Sequence, residues 1–452
     1  MSSQTQKPSS AVIVGLGRTG LSCVRYLLEH GWRLAVTDTR AEPPQLAALR
    51  ELDPEIPTRL GGLDAQLLDD ALCVVVSPGV SLAEPFLAEA RRRGLEVAGD
   101  IELFARAVDA PVAGITGTNG KSTVTTLVGG MAARAGVRVR VGGNLGEPAL
   151  DLLAAANRAG EAVGLYVLEL SSFQLEATQS LDLAAAAVLN VSPDHLDRYA
   201  SVAAYAEAKS SIFARCDTAV INLDDPLVVA MPRPGQRTLS FSLQAGVGAD
   251  YAVAMHDGSE WLTRRGEPLL PVAAMRIRGL HNAANALAAL ALGEALGLPR
   301  PAMLAELEAF TGLPHRTQWV AEVAGVTYID DSKGTNVGAT IAAVAGMPGP
   351  LVIIAGGDGK SQHFAPLAAA FRGKVRHTVL IGRDARTVGE ALRGVCTTEY
   401  RASLEEAVRA AAAAARPGDT VVLSPACASL DMFRDYAHRG AVFAHAVKEL
   451  AA

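Results

Sequence analysis

Pro111-Val112-Ala113-Gly114-Ile115-Thr116-Gly117-Thr118-Asn119-Gly120-Lys121-Ser122-Thr123-Val124 is the stretch whose reading decides the fold. Pro111–Thr116 is an apolar strand, Gly117–Thr123 a loop, and Val124 opens a helix that stops near Gly136. Glycines in such a loop expose backbone N–H groups to phosphate oxygens. Lys121 adds a point charge, and the Ser122 or Thr123 hydroxyl can ligate Mg²⁺. The stretch therefore predicts an ATP phosphate-binding loop made by Gly117, Thr118, Asn119, Gly120, Lys121, Ser122 and Thr123. The strict G-x-x-x-x-G-K-[ST] spacing fails, because its first glycine should fall at Ile115 and Gly114 lies one residue early. A chance glycine turn is the bland alternative, and the strand before and helix after weigh against it.

Outward from this loop, short β-branched runs alternate with Ala/Leu-rich helical stretches, which predicts an α/β fold of parallel sheets flanked by helices. Ala11–Val14 reads as a first strand, Leu21–His30 as a helix ended by Gly31, and Leu34–Thr37 as a second strand. Fresh series start at Pro111 and after Gly312-Leu313-Pro314, where Val326–Ile329 opens the last one. With 452 residues, these restarts predict three domains, at 1–105, 106–312 and 313–452. The turn-rich segment Gly235–Pro271 reads as a small β excursion inside the middle domain.

Composition narrows the function classes. No apolar run is long enough for a membrane span; Ala283–Leu298 comes nearest, but Glu294 interrupts it and it reads as a buried helix. Met1–Ser10 is polar and carries no signal-peptide core. The five cysteines are scattered without a C-x-x-C pair, which suggests reduced thiols rather than a disulfide framework or zinc site. A net charge of −6 argues against a nucleic-acid binder. The expectation is a cytoplasmic globular protein that holds anionic substrates with local Lys and Arg.

A second glycine turn, Gly15-Leu16-Gly17-Arg18-Thr19-Gly20, follows a strand and opens a helix, and Asp38 ends the next strand. That context fits a nicotinamide dinucleotide site. It equally fits any nucleoside diphosphate, since the glycines only let backbone approach a pyrophosphate at a helix N-terminus. A tight turn with no ligand is the third reading. The ATP loop makes the dehydrogenase reading unnecessary.

Further polar groups fall at strand ends. Leu165–Leu168 is a strand ending in Glu169, placed as a metal ligand across the sheet from the loop. Asn190-Val191-Ser192-Pro193-Asp194-His195-Leu196-Asp197-Arg198 follows the next strand, where His195, between two acids, reads as a ligand rather than a structural histidine. Lys209 lies in Ala206-Glu207-Ala208-Lys209 and on residues alone reads as a solvated helix lysine. His281, Asn282 and Asn285 begin a helix, with an N-cap and buried amides as their bland reading. In the last domain Asp330–Asn336, Gly356–Lys360 and Ser424–Asp431 each follow a strand. Open α/β sheets bind ligands at such ends.

Gly-Thr-Asn-Gly-Lys-Ser-Thr at 117–123 resembles the shorter nucleotide loop of the Mur ligases and their folylpolyglutamate synthase relatives. The resemblance extends over nearly the whole chain through Gly15–Gly20, Ser77-Pro78-Gly79, Gly142–Gly146, Glu169–Gln174, Gly312–Arg316 and the three C-terminal strings. Asp331-Ser332-Lys333 and Ser424–Asp431 make it most similar to the branch that adds D-glutamate to UDP-N-acetylmuramoyl-L-alanine. The resemblance implies a Rossmann-like first domain that binds the UDP group, a central P-loop ATPase-like mononucleotide-binding domain, and a Rossmann-like last domain. It implies that Gly17, Arg18, Thr19, Asp38, Thr39, Arg40, Ser77, Gly79, Asn144 and Gln174 contact the UDP-sugar. It assigns Ser122, Glu169 and His195 to Mg²⁺, with two ions expected, and matches Lys209 to a carbamylated lysine that also ligates metal. Asn282, Asn285, Arg316 and Asp331 are implied to face ATP. Thr335, Lys360, Ser429 and Leu430 are implied to contact D-glutamate, with Tyr436 standing where the family has Phe. The implied reaction is ATP-dependent amide formation through an acyl phosphate in peptidoglycan precursor synthesis. Lys121 and Arg316 would stabilise phosphoryl charge, and Lys333 would face a carboxylate. A monomer is expected.

Overall fold

The computed structural model describes residues 9–277 and 279–450; the polar stretch at 1–8 read above lies outside the described residues. The chain forms three sheets in succession. The first contains β1 (Ser10–Val14), β2 (Arg33–Asp38), β3 (Thr58–Leu60), β4 (Cys73–Val76) and β5 (Glu96–Ala98), all parallel, in the order β3-β2-β1-β4-β5. Val12, Ile13 and Val14 are all buried, because helices cover both faces and a parallel strand then reads as a continuous apolar run. Connections leave β1 in opposite directions to β2 and β4, which opens a crevice beyond their carboxyl ends.

The central sheet has nine strands: β6 (Val112–Thr116), β7 (Val139–Gly143), β8 (Leu165–Glu169), β9 (Leu183–Val188), β10 (Cys216–Asn222), β11 (Arg237–Ser242), β12 (Tyr251–His256), β13 (Ser259–Arg264) and β14 (Glu267–Pro271). Their order is β14-β13-β12-β11-β10-β9-β6-β8-β7. The excursion at Gly235–Pro271 is thus a four-strand extension, turning antiparallel at β12, β13 and β14. The loop-bearing strand β6 lies between β8 and β9, so Glu169 and the 190–195 segment flank the phosphate loop. The alanine-rich stretch is the helix Leu280–Ala295, buried from Ala286 to Gly293 under this sheet. No helix of the described residues is long and apolar enough to cross a membrane.

The third sheet comprises β15 (Gln318–Val323), β16 (Val326–Asp330), β17 (Leu351–Gly356), β18 (Val375–Ile381), β19 (Thr397–Tyr400) and β20 (Thr420–Leu423), ordered β15-β16-β20-β17-β18-β19. Here the sequence reading needs correction. The sheet opens not on Val326–Ile329 but one strand earlier, on β15, which pairs antiparallel with β16 as a half-exposed edge. Two helices also begin three residues before their apolar runs, at Arg18 and Lys121, each capped by a glycine without a side-chain bond.

Candidate active site

The phosphate loop is shaped by backbone conformations that only glycine holds without strain. Gly120 has φ +84°, and a Cβ there would come within 2.3 Å of Asn285 Oδ1. Asn190, to which sequence reasoning gave no role, stitches the loop to the end of β9. Its Oδ1 accepts from Asn119 N (2.8 Å), its Nδ2 donates to Asn119 O (3.1 Å), and its carbonyl accepts from Thr118 N (2.9 Å). Lys121 folds back over the loop, its Nζ donating to the carbonyls of Gly117 and Thr118, both at 2.9 Å. Burial lowers its pKa, opposed by the Glu169 carboxylate.

One chain of hydrogen bonds runs through the centre. Arg316 Nη2 donates to Ser122 Oγ (2.6 Å), Ser122 Oγ donates to Glu169 Oε2 (2.5 Å), and Asn144 Nδ2 donates to Glu169 Oε1 (2.7 Å). Burial alone would raise the Glu169 pKa, but the Lys121 charge and the bonds from Ser122 and Asn144 outweigh it, leaving it below the ordinary value.

His195 stands at φ +54° with Nε2 3.8 Å from Asp194 Oδ2, and burial takes its pKa to about 4, so the imidazole is neutral. The reading of Lys209 as a solvated lysine is overturned: it is 1 % exposed, because the helix Val202–Ser210 turns it inward. Its Nζ donates to Gly117 O (3.0 Å) and lies 4.2 Å from the Tyr205 ring centre. Burial, reinforced by the Lys121 charge, holds its pKa well below that of an ordinary lysine. Of the reading of His281, Asn282 and Asn285 as an N-cap with buried amides, the cap fails, while Asn285 is buried. Gly279 is the cap, and Asn282 and Asn285 bond to each other at 3.2 Å.

A cavity of about 220 Å³ lies between the loop, the start of that helix and the third domain, lined by Asn282, Asn285, Arg316, Asp331 and Lys333 with Phe241 and Ile277. Burial raises the Asp331 carboxyl to about 7, against bonds from Ser424 Oγ and Thr317 N. Burial, then the Arg316 charge, lowers Lys333 to about 7, and its Nζ lies 3.7 Å from the Tyr436 ring centre.

Every residue assigned to the UDP-sugar lines a second cleft, between the first and central domains. Several of them are already engaged within the protein. Asp38 accepts from Leu16 N (2.7 Å) and from Arg40 Nε (2.8 Å) and Nη2 (2.7 Å). Ser77 Oγ donates to Gly15 O (2.7 Å). Gln174 donates to Asp100 Oδ2 (2.9 Å) and accepts from Ser171 N (3.1 Å). These groups shape the cleft wall. Asn144 belongs both to this cleft and to the Glu169 chain.

In the third domain Lys360 Nζ is paired with Asp194 Oδ1 (2.5 Å), Ser429 is buried and Leu430 is 72 % exposed. Thr335 N donates to Lys333 O (2.8 Å), which tightens the turn after β16. Sequence reasoning missed Arg439. Buried on the last helix, it donates to Ser332 Oγ and O and to the carbonyls of Cys427 and Ala428, tying the turns after β16 and β20 together. Its only sequence signal was an arginine on an otherwise apolar helix face.

Comparison with known proteins places this geometry. Residues 9–99 match the model of the Mur ligase MurD-like N-terminal domain, 115–293 the Mur ligase middle domain, and 315–427 the Mur ligase glutamate ligase domain. The UDP-N-acetylmuramoylalanine--D-glutamate ligase of Methylococcus capsulatus is 52 % identical over 98 % of this chain and 95 % of its own. Its namesake from Pseudomonas aeruginosa is 51 % identical over 97 % of this chain and 98 % of its own. Among solved structures, the UDP-N-acetylmuramate-alanine ligase of Thermotoga maritima superposes with a TM-score of 0.64 at 19 % identity, covering 97 % of this chain and 99 % of that one. A pseudomurein peptide ligase type C from Methanothermus fervidus gives 0.62 at 18 %, covering 98 % and 100 %. At those identities the structures speak for the shared fold. With three domain models in order and half-identical relatives along its whole length, the chain belongs to the Mur ligase family.

Proposed function

We propose that the protein joins D-glutamate to UDP-N-acetylmuramoyl-L-alanine with hydrolysis of ATP to ADP and phosphate, in cytoplasmic synthesis of peptidoglycan precursors. The names and identities of its relatives support the substrates. The observation that carries the chemistry is the Arg316–Ser122–Glu169–Asn144 chain, which runs from the ATP cavity to the second cleft. A γ-phosphoryl group held at the loop and a carboxylate reaching in from the cleft would meet there.

A carboxylate acylates amines poorly at neutral pH. Its oxygen therefore attacks the γ-phosphorus and ADP leaves, giving an acyl phosphate. The amine of D-glutamate then adds to the carbonyl carbon, loses its proton, and phosphate leaves as the amide forms. Lys121 and Arg316 stabilise the charge on the transferring group, the main lever available in phosphoryl transfer. Lys121 must exchange its loop carbonyls for phosphate oxygens, a trade the buried position favours. Asn282, Asn285 and Asp331 orient the nucleotide.

The Ser122 hydroxyl and the ionised Glu169 carboxylate are hard oxygen donors that fit Mg²⁺ beside the loop. Neutral His195 and a carbamylated Lys209 fit a second ion. Burial of the Lys209 amine with a carbonyl and an aromatic ring for neighbours supports the modification. Bound Mg²⁺ would neutralise phosphate charge. Thr335, Lys360, Ser429, Leu430 and Tyr436 form the amino-acid pocket on this reading. On this reading the protein acts as a monomer.

Phosphate release tests the proposal when assayed with ATP, UDP-N-acetylmuramoyl-L-alanine and each amino acid in turn. Release that requires D-glutamate is the expected result; equal or faster release with another amino acid would assign the chain to a sister ligase.

A further inference from the structure

We propose that Asp194 binds the α-ammonium of the incoming amino acid, and that the Lys360–Asp194 ion pair is an internal stand-in for the zwitterion it receives. The inference rests on the reading of Lys360 as a contact for a substrate carboxylate. It adds a residue that neither the motif reading nor the relatives' names assign.

Asp194 is 5 % exposed, and four groups converge on it. Lys360 Nζ meets Oδ1 at 2.5 Å, where His195 N also donates at 2.9 Å. Asn336 Nδ2 reaches Oδ2 at 3.3 Å, and His195 Nε2 stands 3.8 Å from the same oxygen. Asn336 follows Thr335 of the amino-acid pocket and also bonds Asn119 Oδ1 of the phosphate loop at 3.1 Å. Asp194 therefore touches the amino-acid pocket through Lys360 and reaches the phosphate loop at one remove, through Asn336. This position lies between the amino-acid pocket and an acyl phosphate held at the loop.

Charge complementarity gives the same answer. D-Glutamate arrives at neutral pH with two carboxylates and one ammonium. Lys333, Lys360, Ser429 and Thr335 offer cations and hydroxyls, which serve carboxylates. Two other carboxylates nearby are engaged elsewhere, Glu169 by Ser122 and Asn144, and Asp331 by Ser424 and Thr317. A buried ammonium without a counter-charge is strongly disfavoured. Asp194 supplies the counter-charge. When the amino acid enters, its ammonium takes the place of Lys360 on Asp194, and one of its carboxylates takes the place of Asp194 on Lys360. One internal ion pair becomes two, and the second carboxylate is left to Lys333 and the hydroxyls of Ser429 and Thr335.

The discriminating probe is glutarate, which has both carboxylates of glutamate and no amine. Binding of D-glutamate and of glutarate is measured by competition in the wild-type enzyme and in Asp194→Asn, with the ATP KM as the check that the variant is folded. Loss of one charge-assisted hydrogen bond should weaken D-glutamate roughly ten- to hundredfold in Asp194→Asn. Glutarate should bind as well as before or better, because Lys360 is freed. Parallel weakening of both ligands would reduce Asp194 to a support for Lys360 and overturn the proposal, as would an unchanged D-glutamate affinity. Lys360→Ala separates the underlying reading: it should weaken both ligands. If it weakens neither, the carboxylate pocket lies elsewhere and the proposal falls with it.

Discussion

Lys121 and Lys209 both donate to the single carbonyl oxygen of Gly117, at 2.9 and 3.0 Å, so two lysines share one buried site. Only one of them was legible in the sequence. Lys121 follows a glycine loop between strand and helix, a context that carries its own mechanism. Nothing in Ala206-Glu207-Ala208-Lys209 distinguishes a buried lysine from a solvated one, since its burial depends on packing beneath the loop. An ammonium has no lone pair for a metal, whereas a carbamate presents two oxygens. Lys209→Ala should therefore be nearly inactive and partly restored by acetate or formate; full activity without additive would return the residue to a purely structural role. Asp38 gives a pH test of the first domain. Burial would raise its pKa, but bonds from Arg40 and Leu16 bring it to about 2, below its unfolded value. A lowered carboxylate pKa stabilises the fold above the unfolded value, near 4, and that contribution is lost as pH falls through about 2. The shift sets an upper limit on the order of 2 kcal/mol. Denaturant unfolding should show Asp38→Asn less stable than wild type at pH 7, with the gap closing below pH 4; a gap that widens on acidification would contradict this account of the cleft wall.

Elements were legible where apolar runs were long and bounded by turns, as in β1, β6, β8 and β17, whose residues are buried on both faces. The edge strand β15 was not, because Gln318–Val323 is half-exposed and shifts register between Trp319 and Ala321, which blurs its alternation. The early helix starts at Arg18 and Lys121 escaped notice because glycine caps them with no Ser, Thr or Asp marker. At this scale Gly20 is the sharpest test. It lies in the first turn of the helix Arg18–Glu29, where a Cβ would fall 2.0 Å from Gly15 O and 2.9 Å from Ser77 Oγ. The contact is mostly to backbone, so helix and strand must separate. Gly20→Ala should cost about 1–3 kcal/mol as an overpacked core does, and should raise the KM for the UDP-sugar more than that for ATP. A melting temperature and KM equal to wild type would show that the turn is looser than described.

At the scale of the whole molecule, the site is assembled from contacts between residues far apart in the chain. Asn119 meets Asn336 across 217 positions, Ser122 meets Arg316 across 194, and Asp194 meets Lys360 across 166. The strand-end polar groups could be read one sheet at a time, because open α/β sheets place their ligand groups there. Which groups of different sheets meet depends on how the domains dock, and no local pattern encodes that. For this reason the meeting of Asp194 with Lys360 went unassigned in the sequence, whereas Asn190 and Arg439 bond within their own domains, where no motif marks them. The docking brings the third domain against the phosphate loop, where it would shield an acyl phosphate from water. That intermediate is the central claim, and oxygen labelling tests it most directly. UDP-N-acetylmuramoyl-L-alanine carrying ¹⁸O in both oxygens of its alanine carboxylate is turned over with ATP and D-glutamate, and the products are weighed. The account requires one labelled oxygen in the released phosphate and the other in the new amide carbonyl. Phosphate free of label, with the amide formed, would contradict it.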